Sequence, residues 1–226
     1  ASRESDLIES ELVNSGEANF LASSKGHEGS AIVAAFLQDS DWLHCHYRDK
    51  ALMLARGISN EMFFYSSLAK AESHSSGRQM VSHMSAPELN ILSMVGPVGN
   101  NALQAAGVAK VIKAQNDNPI VYCSVGDGTS QQGEVLEAIA EAKRSELPVL
   151  FFIHNLAIST RTQGKTFFSL PNGANPRSFY GTPITYIDGT NPLAHYHDLE
   201  LVFTNLRANR QPQIIVFNVE RLDNHS

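Results

Sequence analysis

Val121-Tyr-Cys-Ser-Val-Gly126-Asp127-Gly128 is an apolar run of strand length that passes directly into Gly-Asp-Gly. A short run that is apolar on both faces marks a strand buried on two sides, as in a parallel sheet covered by helices. The pattern downstream repeats it: residues 131–144 read as a helix, 149–153 as a strand, 184–187 as a strand, 199–208 as a helix and 214–219 as a strand. Upstream, 101–114 reads as a helix with Leu103, Gly107, Val111 and Ala114 along one face, and 91–95 as strand-like. The expected class is therefore α/β, a parallel sheet with helices on both faces. Ligands of such sheets sit beyond the carboxyl ends of the strands, where Asp127 falls.

The first third of the chain reads as scaffold. Residues 5–14 carry Leu7, Ile8, Leu12 and Val13 at helical spacing, 29–37 form a small-residue helix, and 50–55 and 60–70 are further helices. Residues 74–84, rich in Ser and His, read as loop, and 159–177 as the one long loop.

Bulk properties exclude several classes. The 226 residues, 42% hydrophobic and 18% charged, suit one globular domain spanning 1–226. A formal net charge of −6, with no run of Lys and Arg, argues against a nucleic-acid partner. No apolar stretch approaches the roughly 20 residues of a membrane span, and the first residues resemble no targeting peptide. Cys123, inside an apolar run, reads as a buried free thiol rather than a partner of Cys45, which fits a reducing compartment. The chain starts without Met and stops at His225-Ser226, just past a strand pattern, and so reads as part of something longer.

A carboxylate at a strand end, flanked by glycines that let backbone approach closely, is well placed to hold a hard cation against a diphosphate. The same tripeptide also serves as an ordinary turn. It is not the dinucleotide-binding fingerprint, because Thr129, Ser130 and Gln131 follow it. A second strand ends in His154-Asn155, one helix and one strand later, which puts Asp127 and Asn155 at the ends of neighbouring parallel strands.

At these residues the chain resembles the thiamine diphosphate enzymes, whose shared motif is Gly-Asp-Gly followed by Asn about one helix and strand later. It is most similar to the alpha subunits of branched-chain 2-oxo acid dehydrogenases and their pyruvate relatives. The likeness rests on an ordered set spanning nearly the whole chain: Lys25-Gly-His-Glu-Gly-Ser30, His46-Tyr-Arg-Asp49, Gly77-Arg-Gln-Met80, Gly96-Pro-Val98, Gly126-Asp-Gly128, Ala157-Ile-Ser-Thr160 and Arg221-Leu-Asp-Asn-His-Ser226.

The resemblance implies a thiamine diphosphate fold that carries out oxidative decarboxylation of a 2-oxo acid, of the 3-methyl-2-oxobutanoate type. It implies thiamine diphosphate and Mg²⁺ as cofactors, with acyl transfer to the lipoyl group of a partner acyltransferase. A beta-type subunit or domain would complete the active site in an alpha2beta2 assembly or a fused chain and supply the carboxylate that activates the aminopyrimidine. The compartment would be the cytoplasm of a bacterium or the mitochondrial matrix of a eukaryote. By position, Tyr47 and Arg48 would hold the diphosphate, with Gly126, Gly128, Thr129 and His154 beside it. Gly96, Pro97 and Val98 would line the pyrimidine, and Phe20 would wall the acyl pocket. Asp127, Asn155 and a backbone carbonyl at Leu156 would ligate the cation, and His83 and His225 would serve as catalytic residues near the 2-oxo acid. Imidazoles suit that role because they donate to carboxylates and exchange protons near neutral pH.

The chain departs from the family in one respect, because Asn155 runs straight into Leu156-Ala-Ile-Ser-Thr where relatives carry a second Asn and one further residue. Two other readings stand beside the main one. The first is another thiamine enzyme, acetoin-cleaving or transketolase-like; the second is a non-catalytic assembly module of the same fold. His44, His195 and His197 have alternate spacing but no companion Cys or carboxylate cluster for zinc, and Glu28 matches no motif for the activating carboxylate.

Overall fold

A computed structural model describes residues 1–115, 118–156, 165–170, 175–220 and 222–223. The expected strands appear as β2 (Val121–Gly126), β3 (Val149–Asn155), β5 (Thr182–Asp188) and β6 (Gln213–Asn218). Two short ones were not expected, β1 (Trp42–His44) and β4 (Ser178–Phe179). At three and two residues they are too short to show a hydrophobic period. The sheet order is β1-β2-β3-β6-β5-β4, parallel throughout except for the antiparallel edge pair β4 and β5.

The helices are α1 (Ser2–Asn14), α2 (Lys50–Arg56), α3 (Asn60–Ser67), α4 (Asn100–Ala114), α5 (Gly133–Arg144) and α6 (Tyr196–Asn209). Alternation along the central strands divides the core in two. Tyr122, Leu150, Phe152, Ile215 and Phe217 face α2, α3 and α6, with Leu52, Phe63 and Leu206 among their partners. Val121, Cys123, Val149, Phe151, Ile153 and Val216 face α4 and α5, with Ala105, Ala109, Val135 and Ile139. Helices therefore cover both faces, as the doubly apolar strands require. Cys45 and Cys123 are both free and buried.

Several local expectations are corrected. Residues 29–37 do not make an α-helix but a 3-10 stretch, Glu28–Phe36, in which only Ser30 and Val33 are fully buried. Residues 91–95 contribute only bridges of Ile91 to Leu43 and Ala86. On α4 the face with Leu103, Gly107 and Val111 points outward, with Val111 56% exposed, while Ala102, Ala105, Ala106, Ala109 and Ile112 are buried. Alanines at i, i+3 and i+4 let α4 lie close on the sheet, and bulkier side chains would hold it off.

On α1 the expected face is also reversed. Leu7 and Ile8 are 45% and 48% exposed, whereas Ser2, Ser5, Asp6 and Glu9 are buried. The inward side meets polar groups, described below.

Tyr186, on β5, fastens part of the loop after β3. Its hydroxyl lies 2.9 Å from the Phe168 carbonyl and 3.0 Å from that of Pro176, and burial pushes its pKa up to about 12, so it stays a donor. Tyr186→Phe is expected to lower the unfolding free energy by about 1 kcal/mol, the usual net worth of such a bond. Urea denaturation measures this, and an unchanged midpoint would show the loop is held otherwise.

Candidate functional site

The carboxyl ends of β2 and β3 lie side by side, with Gly126 opposite His154 in register. The chain then bends, and the Asp127 amide donates to the His154 carbonyl at 3.0 Å. Asp127 and Asn155 are thus neighbours at the strand ends, both largely buried. The Asn155 amide nitrogen donates to Asn218 Oδ1, 2.7 Å away at the end of β6. Leu156 packs its side chain into the core facing α2 and α6. After Gly128, residues Thr129–Gln131 form a 3-10 turn leading into α5.

Beside these ends is a cavity of about 190 Å³. Its walls bring together, from five separate parts of the chain, Phe20, Tyr47, His83, Gly96, Pro97, Val98 and Thr129, all singled out in the sequence. Ser124 and Val125 of β2, Met80, Met94 and Asn101 complete much of the lining. At Gly96 an added Cβ would meet no atom within 4 Å, so the cradle there opens on free space. Tyr47 and His83 stack with nearly parallel rings, centroids 6.0 Å apart. His83 Nδ1 lies 3.0 Å from the Val81 carbonyl, which in the neutral ring makes Nδ1 the donor and Nε2 the proton acceptor.

Arg48 is only 5% exposed, and among the described residues it has no carboxylate partner. Its Nη1 donates to the Ser23 carbonyl, its guanidinium carbon sits 5.1 Å from the Tyr47 ring centroid, and its Nε is buried with no hydrogen-bond acceptor. A buried, fully charged guanidinium without an anion is costly unless a ligand supplies one.

The adjacent Asp49 does not pair with Arg48. Its Oδ1 takes a bond from His154 Nε2 at 2.8 Å, and its Oδ2 accepts from Ser124 Oγ and from the His46 amide at 3.0 Å. Burial alone would raise the Asp49 pKa. The imidazole of His154, the Ser124 hydroxyl and His46 outweigh it and hold the carboxyl below its ordinary value. His46 is pushed well below the usual imidazole range by burial and by His154, and is neutral.

His154, expected to contact the cofactor, is not among the cavity walls, and neither are Arg48, Gly126, Asp127, Gly128, Asn155 and Leu156, which lie at the neighbouring strand ends and in the loop before α2. The second ring nitrogen of His154 lies 3.1 Å from His27 Nδ1, so both nitrogens are occupied beneath the loop that carries Tyr47 and Arg48. The structure makes it a support of that loop. The roles of Asp49, Ser124, His27 and Asn218 were not foreseen. Asp49 lies inside the His46–Asp49 motif and His27 inside the Lys25–Ser30 motif, but Ser124 and Asn218 are joined to their partners only by the fold. His225 and the Ala157–Thr160 motif lie outside the described residues, as do Arg221 and residues 224–226.

The other histidines have partners outside the cavity: His44 Nε2 lies 3.0 Å from Gln104, its Nδ1 being buried without a partner among the described residues, while His195 lies 3.1 Å from Asp198 and His197 3.3 Å from Glu200. Glu28 is bonded to Arg3 and to the Gly26 amide, each at 2.7 Å. Among the described residues no group of three or more His, Cys, Asp or Glu is placed to hold a metal, and no helix is long and apolar enough to cross a membrane.

Comparison with known proteins places this geometry. The mitochondrial 2-oxoisovalerate dehydrogenase subunit alpha of Caenorhabditis elegans is 31% identical over 217 residues, covering 93% of this chain and 49% of that protein. The subunit alpha of the same name from Bacillus subtilis is 28% identical over 218 residues, covering 95% of this chain and 66% of its own length. The chain thus spans about half to two thirds of the length of these relatives. Two solved structures share the fold. A Mycobacterium smegmatis protein described as a putative thiamin diphosphate-dependent enzyme matches with TM-score 0.54 and 16% identity, over 85% of this chain and 31% of that one. Transketolase of Campylobacter jejuni matches with TM-score 0.55 and 17% identity, over 83% and 32%. The family model described as dehydrogenase E1 component matches residues 2–226, and the chain belongs to that family.

Proposed function

We propose that residues 1–226 form a single diphosphate-binding domain, the alpha-type part of a 2-oxo acid dehydrogenase decarboxylating component of the 3-methyl-2-oxobutanoate kind. The observation that carries this reading is Arg48, a buried guanidinium with an orphaned Nε and no carboxylate partner among the described residues, standing beside a cavity lined by the family's motif positions.

These residues fit thiamine diphosphate. Arg48 would meet the diphosphate with the fork geometry that suits phosphate, Tyr47 and Thr129 would flank it, and the glycines 126 and 128 would keep side chains out of its way. Gly96 and Val98 would border the pyrimidine, with the space above Gly96 left open for it. Asp127 and Asn155 offer hard oxygens to Mg²⁺ from adjacent strand ends, with the Leu156 carbonyl as a third donor. When bound, the cofactor supplies the carbon nucleophile and electron sink for decarboxylation.

The remaining work belongs to side chains of this chain. His83, braced by Val81 and stacked on Tyr47, keeps Nε2 for proton exchange with the reacting groups of a 2-oxo acid bound in the cavity. His225 would share that task. Phe20, Met80 and Met94 give the cavity an apolar wall that would suit a branched acyl group. A beta-type partner would close the site, and a lipoyl-bearing acyltransferase would receive the acyl group.

Calorimetric titration with thiamine diphosphate and Mg²⁺, using the full-length protein with its beta-type partner, tests the reading. The wild type is expected to bind. Changes in the outer shell of a metal site already cost about 10–100-fold in affinity, so Asp127→Ala should remove the Mg²⁺-dependent part at least to that extent. Absence of binding by the wild type would favour a non-catalytic assembly module, and unchanged affinity in Asp127→Ala would move the cation elsewhere.

A further inference from the structure

The inward face of α1 holds a cluster of buried charges outside the cavity. Asp6 Oδ1 and Glu9 Oε1 each lie 2.8 Å from the same Lys50 ammonium. All three side chains are essentially inaccessible. The ammonium also sits 5.2 Å from the Phe63 ring centroid. Burial pushes the Glu9 carboxyl up, against the pull of Lys50. Two acids and one base taken out of water gain little over well-packed apolar side chains, so such a cluster is weak as a stabiliser; its best-attested use is to specify geometry.

The other oxygen of Asp6 shows what is being specified. Asp6 Oδ2 accepts from the Ser24 amide at 2.6 Å, the Ser24 hydroxyl at 3.0 Å and the Ser23 hydroxyl at 3.2 Å. The Ser23 carbonyl in turn accepts from Arg48 Nη1. Lys50, which fixes Asp6 from the opposite side, follows Arg48 by two residues at the start of α2. Arg48 is therefore gripped twice by one cluster, through Ser23 and through its own chain.

We propose that the Asp6–Lys50–Glu9 cluster is a positioning device for the Arg48 guanidinium, with Asp6 acting through the 23–24 segment to aim the remaining N–H groups at a diphosphate. This rests on the reading that Arg48 binds a diphosphate. With Nη1 tied to Ser23, the fork can turn only as far as that carbonyl moves. Removing the charge of Asp6 frees residues 23–24 and with them the fork.

A purely structural role would weaken every ligand alike, so the informative quantity is the ratio of affinities for thiamine diphosphate and for thiamine, which lacks the diphosphate. Both are titrated calorimetrically with Mg²⁺ in the assembled protein. Asp6→Asn is expected to weaken thiamine diphosphate about tenfold, the order of loss a small misplacement of a positioning group brings, while thiamine changes by less than about twofold. In an Arg48→Met background the same substitution should leave the ratio unaltered, since the aimed group is gone. A parallel fall for both ligands, or an effect that persists beside Arg48→Met, would overturn the proposal. If Asp6→Asn does not fold, Ser24→Ala decides. It removes one donor to Asp6 without stranding a charge, and it should lower the ratio by about threefold, in the range of one weakened hydrogen bond; an unchanged ratio overturns the proposal. If Arg48→Met itself leaves thiamine diphosphate binding intact, the diphosphate reading fails instead.

Discussion

Asp49→Ala is expected to destabilise the folded chain by about 2–6 kcal/mol, because two buried donors lose their acceptor at about 1–3 kcal/mol each. Asp49 is fully buried and serves three donors at once: His154 Nε2, Ser124 Oγ and the His46 amide. These come from the ends of β3 and β2 and from the loop before α2, so the carboxylate joins the elements that border the cavity. Its loss strands an imidazole N–H and a hydroxyl in the interior, while the His46 amide keeps the Ser124 hydroxyl oxygen, 2.7 Å away, as its acceptor. Because the folded-state pKa of Asp49 is lowered, its contribution is present in full above the unfolded value near 4 and disappears as pH falls through the folded value. Denaturant titrations of wild type and variant should therefore run parallel at neutral pH and converge below about pH 4. A difference under about 1 kcal/mol at pH 7 would mean that His154 and Ser124 find other acceptors.

The contrast between Asp49 and its neighbours shows what the linear sequence discloses. β2 and β3 were legible because a run that is apolar on both faces admits few readings, and the placement of Asp127 and Asn155 at the ends of neighbouring parallel strands followed from the lengths of one helix and one strand. The cavity residues Tyr47, His83, Gly96, Val98 and Thr129 were legible as motifs, and the fold brings them to one place. The partners of Asp49 were not. His154 lies 105 residues away and Ser124 75, and a buried Ser or His in an apolar strand carries no local mark of what it will meet. On α4, counting large apolar residues picked the outer face, because close packing against the sheet called for Ala. On α1 the error had the opposite origin. Leu7 and Ile8 have the period of a core face, but the inner side is committed to a salt-bridged cluster whose base lies 44 residues further on.

Arg48→Met is expected to change ligand affinity and stability in opposite directions. Truncating one side of a buried, hydrogen-bonded charge pair costs about 2–5 kcal/mol, or roughly thirty-fold to several-thousand-fold in the dissociation constant for thiamine diphosphate. The free protein should respond the other way. Its Arg48 guanidinium is buried with Nε unbonded and with no carboxylate partner among the described residues, so exchanging it for an apolar side chain of similar length removes a desolvated charge. The expected gain is about 1 kcal/mol in unfolding free energy without ligand, reduced by the bond lost at the Ser23 carbonyl. Binding sites commonly hold such groups at a cost to the empty fold. Thermal denaturation with and without thiamine diphosphate and Mg²⁺ measures both arms. A variant that loses stability in the absence of ligand would show that Arg48 holds residues 23–24 to the loop first and binds an anion second. A variant more stable when empty and no longer stabilised by the cofactor assigns the buried cation to the diphosphate.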